Sequence, residues 1–460
     1  MQSTRGGAVV IGASMAGLLA ARVLADRFDQ VTVLDRDDLP DGADSRKGVP
    51  QGRHAHGLLA SGELVLRDLF PGLMEDLVTA GAERVTVRQV RWWQYGGYRV
   101  ACSAPDGTFL SRPFLEAAVR HRVLSLPNVT LLRAAAYGLD VRDGHVTGVT
   151  GDADGPVTVP AQFTVDASGR GSRVGHWLRE AGYPEPPVAR VRMDMTYATR
   201  LYRRTAGRLP DGTWIATISD PDQSKRLAVA FPIEGGRWIV TLAGFHGDSA
   251  PAADAGYLAF AESLPAGEVA GIIRDEEPAG PIVTHRLPSS QWRHFEKVRR
   301  HPGRFLAMGD AVCSFNPIYG QGMSSAALQA MALGTCLDRY GSASVGLPRR
   351  FYRAAAKIIA NPWAIAAGAD FCYPQTTGPK PPLADHLNRY VKKAVIAAQH
   401  DPAVAAAIYQ VQNLLAPPPS LMKPAVVMRE LRSARKGPTG GAVSAPAALS
   451  AAVEIGRAHV

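Results

Sequence analysis

Short apolar runs that end in a glycine or an acid, each followed by a pattern of helical period, recur along the chain. Gly6-Gly7-Ala8-Val9-Val10-Ile11 reads as a buried strand, and Gly12-Ala13-Ser14-Met15-Ala16-Gly17 opens a helix whose apolar face runs through Leu18, Leu19, Ala21 and Leu24. A second strand, Gln30 to Leu34, ends in Asp35. The spacing predicts a βαβ unit: Gly12 for the tight turn, Gly17 for close helix packing, and an acid about 20 residues on for a ribose hydroxyl. Ser14 stands where the middle glycine of that pattern belongs. A similar junction follows much later, where Phe305 to Met308 leads into Gly309-Asp310 and Pro317, Gly320 and Gly322 form a turn before a small-residue helix starting near Ser324. That turn leaves free backbone N–H groups at the positive end of a helix, with Asp310 at a strand end able to accept from sugar-like hydroxyls.

Between these junctions the pattern changes period. Helical stretches run to about Ala80, Val85 to Ala104 is β-rich around Gly96-Gly97, and a helix begins near Arg112. Strands near Val129–Leu132 and over Val157–Val165 lead to Asp166-Ala167-Ser168-Gly169-Arg170, another strand-turn-helix junction. Val191 to about Gly244 alternates as an antiparallel sheet would, and the chain is expected back in the first unit near Pro281. Beyond Leu337, Arg349–Ala366 and Leu383–Leu415 read as helices and Pro417-Pro418-Pro419 breaks them. The expected division is a nucleotide domain over 1–80, 101–190 and 281–345, a substrate domain over 81–100 and 191–280, a helical cap over 346–430 and a disordered tail over 431–460. The last seven residues, from Glu454 to Val460, match a translated sequencing adapter and are set aside.

Composition narrows the class. No apolar run reaches the ~18 residues that span a bilayer, and no basic-then-apolar leader opens the chain, so a cytoplasmic protein without a transmembrane segment is expected. Cys102, Cys313, Cys336 and Cys372 are scattered, which implies neither a disulfide frame nor a zinc site. The net charge of +10 is spread along the chain without a nucleic-acid motif, and no nucleic-acid partner is expected. His54 and His56 lack a third metal-ligand type nearby, so no metal is expected.

The Gly303–Ala327 segment resembles the second FAD motif of the para-hydroxybenzoate-hydroxylase superfamily. Ser45 to His56, Thr196 to Tyr202 and Pro232 to Thr241 are similar to segments of the FAD-dependent epoxidases of polyether-antibiotic pathways, over about Ala8 to Leu337. The resemblance implies an α/β protein: a Rossmann-like FAD-binding domain with an inserted antiparallel substrate sheet and a C-terminal helical cap. It places Gly12, Ser14, Ala16 and Gly17 at the pyrophosphate and Asp35 at the adenosine ribose. Arg46, Gln51, Arg53, His54 and Arg112 would lie near the cofactor, Asp310 at the ribityl chain, and Pro317, Gly320, Gln321, Gly322 and Met323 at the flavin edge. A solvated strand-end acid at Asp35 and a surface arginine at Arg112 are the plain alternatives.

Trp92, Trp93, Tyr197, Tyr202 and Trp238 are candidates to wall a lipophilic pocket, with strand-core packing as the competing role. In the superfamily's middle motif an Asp stands where this chain has Ser168, which leaves open whether NAD(P)H reduces the flavin directly or through a separate flavin reductase. Flavin and molecular oxygen would carry the chemistry, in keeping with the lack of a hydrolytic triad. Three reactions fit: epoxidation of a small lipophilic alkene, aromatic hydroxylation, and reduction of isoprenoid chains. Arg91-Trp92-Trp93-Gln94-Tyr95 lacks the halogenase Trp-x-Trp-x-Ile-Pro pattern, and a non-enzymatic flavoprotein is the remaining class.

Overall fold

The computed structural model describes residues 6–440. Five strands, Phe305–Ala307, Phe163–Asp166, Gly7–Ile11, Gln30–Asp35 and Val129–Arg133, form a parallel sheet in that order. Its central strands are buried on both faces, which is why they read as continuous apolar runs. Helices Met15–Ala25, Arg112–Leu124 and Gln321–Tyr340 pack into the same core. Because every strand points the same way, their carboxyl ends gather Gly12, Asp35, Asp166 and Gly309-Asp310 along one edge.

The second sheet has eight strands, in the order Cys313–Ser314, Val283–Arg293, Val188–Arg203, Arg237–Phe245, Arg226–Ile233, Trp214–Ile218, Val90–Gln94 and Gly97–Tyr98. Two boundaries differ from expectation. Val283–Arg293, assigned above to the nucleotide unit, pairs antiparallel with Val188–Arg203, and the chain rejoins the parallel sheet only at Phe305. Val188–Arg203 has two edges: Arg237–Phe245 pairs along Met195–Arg203 on one, and Val283–Arg293 pairs along Val188–Arg192 and Met195–Thr199 on the other. The run Val157–Val165 also divides, at Ala161-Gln162, into Pro156–Pro160 of a small antiparallel sheet and Phe163–Asp166 of the parallel one.

One face of the large sheet is closed by helices Asp254–Glu262 and Glu268–Asp275, against which Ala198, Tyr202, Ile215, Trp238, Val240 and Leu242 are buried. At the chain's end, helices Leu347–Asp370, Ala384–Ala397, Pro402–Gln412 and Pro424–Ser433 form a cap. The expected single helix Leu383–Leu415 is broken at Asp401-Pro402, where the Asp401 carboxylate caps the next helix and Pro402 occupies its first turn. The expected tail from 431 is structured to 440: Pro424–Ser433 is helical, Thr439 N–H donates to Gln399 Oε1 at 2.9 Å and Gly440 N–H to the Gly96 carbonyl at 3.0 Å. The remainder of that tail, with the adapter-like ending, lies outside the described residues. Among those described, no helix is long and apolar enough to cross a membrane.

Candidate active site

The first strand-helix junction is built for close approach of backbone. Gly12 has φ +100°, and a Cβ there would meet the Ala167 carbonyl oxygen at 2.7 Å; a Cβ on Gly17 would fall 1.7 Å from the Gly12 carbonyl oxygen. Ser14, the departure from the glycine pattern, is the extended N-cap of helix Met15–Ala25 and makes no side-chain cap bond. Its hydroxyl instead donates to Glu116 Oε2 and accepts from Arg112 Nη2, both at 2.9 Å, so the helix starting at Arg112 is tied to this turn. Ala16 packs beneath Gly309, where any Cβ would come within 2.6 Å of its methyl.

Asp35 is already engaged by the chain. Its oxygens accept from Ala13 N (2.7 Å) and Asp37 N (2.9 Å), and Arg46 Nη1 bridges both at 3.2 Å. Arg46 also reaches Asp37 (3.0 Å) and Glu116 (3.1 Å). Burial pulls the Arg46 pKa down, but Asp35 and Glu116 outweigh it, and the guanidinium stays charged. A ribose at Asp35 would therefore compete with Arg46 for the same oxygens. Gln51 is half-buried in the turn Pro50–Arg53, whereas Arg53 is exposed to solvent.

At the far junction, Asp310 has a partly exposed edge yet is packed closely enough that burial raises its pKa, with Arg112, Arg170 and Arg293 acting in the opposite direction. Its carboxylate has no hydrogen bond from the described residues, and Oδ1 faces Gly322, 4.0 Å from where a Cβ there would be. Pro317 opens a tight turn, Gly320 takes φ +66°, and helix Gln321–Tyr340 begins beside the acid. Gln321 is buried with Oε1 unpartnered, and Met323 is buried in the core. The loop is anchored from the cap: Asp370 Oδ1 accepts from Asn316 Nδ2 (2.8 Å) and Tyr319 Oη (3.3 Å).

The middle junction gives Ser168 a local role. Its hydroxyl donates to Asp166 Oδ1 at 2.6 Å, and Ser172 donates to Oδ2 at 2.6 Å, so both oxygens of this buried acid hold its own turn. The Arg170 guanidinium bonds Ser314 and Ser289, joining the two sheets.

His54 is buried against the large sheet. Its ring lies on the face of the large sheet opposite the two helices, edge-on to Tyr197 at 4.4 Å and 5.9 Å from His285. Ala55 N–H donates to Thr241 Oγ1 (3.2 Å), Thr241 and Thr199 share a 2.7 Å bond, and Thr199 and His54 Nδ1 share one of 2.8 Å. Either threonine can donate in the bond they share, and the direction of the Thr199–His54 bond follows the ring's tautomer. Burial, then the neighbouring His285, His56 and Arg53, drives the His54 pKa down to about 3, so the ring is neutral.

The aromatic candidates separate by parity. Tyr197 and Trp92 share the His54 face, Trp92 meeting Trp214 at 5.5 Å. Tyr202 and Trp238 are sealed at 1% and 2% exposure beneath the two helices, and the ladder places Trp93 on that same face. Those three are corrected to structural positions, because a strand's side chains alternate and this face is covered. Glu116, Thr199, Thr241 and Asp370 are the site residues the sequence reading missed. Only Glu116, one helical turn from Arg112, carried a local signal.

The model of the FAD dependent oxidoreductase family matches residues 8–176. The chain is 34% identical over 415 residues to protein Rv3254 of Mycobacterium tuberculosis, covering 86% of this chain and 87% of that one. It is 28% identical over 403 residues to kynurenine 3-monooxygenase of Salinispora arenicola, covering 81% and 80%. A flavoprotein/dehydrogenase from Cytophaga hutchinsonii shares the fold, with TM-score 0.66, 15% identity, and 94% and 98% coverage. The glycine cradle at Gly12 and Gly17, the unpartnered Asp310 carboxylate and the helix start at Gln321 fit FAD. The chain belongs to the FAD-dependent oxidoreductase family, with the fold of the para-hydroxybenzoate-hydroxylase-like superfamily.

Proposed function

We propose that the protein is an FAD-dependent monooxygenase that epoxidises an alkene in a lipophilic polyketide or prenylated natural product. When bound, FAD supplies the reductive activation of molecular oxygen. The overall balance is alkene, oxygen, two electrons and two protons to epoxide and water, with NAD(P)H as electron source directly or through a flavin reductase. Gly12 and Gly17 admit the pyrophosphate, Asp310 accepts from the ribityl hydroxyls, and the turn from Pro317 to Gly320 with the start of helix Gln321–Tyr340 meets the flavin edge. The sheet face bearing Tyr197 and His54 holds the alkene and excludes water.

The observation that carries the choice of an alkene is the neutrality of that face. His54 is held uncharged at about 3, burial lowers His285 as well, and Tyr197 is pushed above its ordinary range. Removing a phenolic proton needs a base poised near the working pH, and His54 lies far below it. An alkene needs none. The identity to kynurenine 3-monooxygenases supports aromatic hydroxylation as the second reading.

Incubation of the FAD-loaded protein with polyketide or prenylated alkenes, an electron source and labelled oxygen is expected to give products carrying one labelled atom as an epoxide or its ring-opened ether. A labelled phenol would favour the second reading. Product formed equally well without oxygen would contradict both.

A further inference from the structure

Arg99 follows the edge strand Gly97–Tyr98, and its amide donates to the Trp92 carbonyl at 2.9 Å. The side chain is buried at the seam between the sheet and the cap. Its guanidinium carbon stands 4.4 Å from the centre of the Trp92 ring, and Nη1 donates to Gln412 Oε1 of helix Pro402–Gln412 at 2.9 Å. Nε and Nη2 are sealed from solvent and have no hydrogen-bond partner among the described residues. Nor does any acidic side chain there pair with it; burial lowers its pKa to about 10, opposed only by the Cys102 thiol.

The free edge identifies its ligand. Nε and Nη2 present parallel N–H bonds, the fork that matches a carboxylate side-on. Elsewhere in the chain the same edge holds both oxygens of a carboxylate: Arg27 holds Asp338 through Nε and Nη2 at 2.7 Å each, and Arg226 holds Asp248 at 2.8 and 3.0 Å. Leaving such an edge buried and unpaired is costly, and packing against Trp92 satisfies neither nitrogen. The guanidinium shares its sheet face with Trp92, Trp214 and Phe231, an aromatic cluster with ring separations of 5.5 and 5.6 Å.

We propose that Arg99, once the packing that seals Nε and Nη2 gives way to the ligand, receives side-on through these two nitrogens the carboxylate of an extended lipophilic acid whose hydrocarbon body lies along the sheet face from Trp92 to Tyr197. The assignment rests on the reading of that face as the substrate face. It also sets a length. Four strand-to-strand steps separate the Trp92 strand from the Tyr197 strand, about 19 Å at ~4.8 Å each, the span of a chain rather than a single ring. The substrate class is therefore an unsaturated long-chain acid, bound by its acid end at the cap and presenting an alkene near His54.

The test uses cis-parinaric acid, a fluorescent C18 tetraene acid, and its methyl ester, titrated into FAD-loaded protein. The acid is expected to bind about 10-fold tighter than the ester, the worth of a charge-assisted pair. Arg99→Lys keeps the charge but loses the fork and should shrink that ratio; Arg99→Met should remove it while ester affinity stays within about 2-fold. The lysine variant decides the matter if the methionine variant fails to fold. Equal binding of acid and ester by the unsubstituted protein, binding of neither, or acid preference surviving in both variants would overturn the proposal. Acid-selective binding without oxygen-dependent turnover would keep Arg99's role and sink the monooxygenase reading. Oxygen-dependent turnover of the ester as fast as the acid would do the reverse.

Discussion

Asp310 and Asp370 flank one loop and differ in what offsets their burial. At Asp310 burial raises the pKa and three arginines, Arg112, Arg170 and Arg293, oppose it. Asp370 has only hydrogen bonds from Asn316 and Tyr319, Oδ2 is unpartnered, and its pKa is pushed up to about 7. Asp310→Ala is expected to weaken FAD binding by about 1–3 kcal/mol, roughly 5- to 150-fold, in equilibrium dialysis; unchanged affinity would remove it from the site. For Asp370 the folded-state pKa is raised, so its contribution to stability is fully present below the ordinary carboxylate value and is lost as pH rises through about 7. A displacement of that size corresponds to about 4 kcal/mol at most. Denaturant unfolding of Asp370→Asn between pH 4 and 8 should show a flatter profile than the parent, and parallel profiles would contradict the assignment. Ser168 spends its hydroxyl on Asp166, which leaves it poorly placed to take over the Asp role of the wider superfamily. Slow bleaching of the flavin by NADPH alone in stopped flow, accelerated by an added flavin reductase, is the expected outcome. Fast reduction without the reductase would count against it.

At the scale of elements, alternation along one strand decides which aromatics lie under the two helices and which face the other way. Tyr197 and Tyr202 are five residues apart on Val188–Arg203, an odd step, so they project to opposite faces. That parity was legible in the sequence; which face would be covered by helices was not, since Asp254–Glu262 and Glu268–Asp275 come later in the chain and carry no mark of their docking side. Trp238→Ala is accordingly expected to cost about 3–5 kcal/mol of stability in denaturant unfolding while leaving turnover per folded molecule unchanged. A loss of turnover without a loss of stability would return Trp238 to the pocket. The strand Val283–Arg293 was misplaced for a related reason: its pattern says strand, while its sheet is chosen by the second edge of Val188–Arg203, along which it pairs over Val188–Arg192 and Met195–Thr199.

Across the whole molecule, the parts legible from sequence are those made by neighbours in the chain. The turns at Gly12, Gly309-Asp310 and Gly320 each lie within one strand-turn-helix unit, where local sterics fix the outcome. Partners hundreds of residues apart, Arg99 with Gln412 and Gln94 with Gln399, exist only once the cap folds against the edge hairpin. Asp35 lies between the two kinds: its strand-end position follows from pattern, but its ion pair with Arg46 belongs to the loop that folds back over it. The central claim is that the carboxyl-end edge of the parallel sheet holds FAD and turns the flavin toward the Tyr197 and His54 face. A crystal structure of the FAD-loaded protein tests it most directly. The account predicts ribityl hydroxyls within hydrogen-bond distance of Asp310, the flavin edge against the start of helix Gln321–Tyr340, and its open face toward Tyr197. A flavin bound elsewhere, or with Asp310 remote from its ribityl chain, would contradict it.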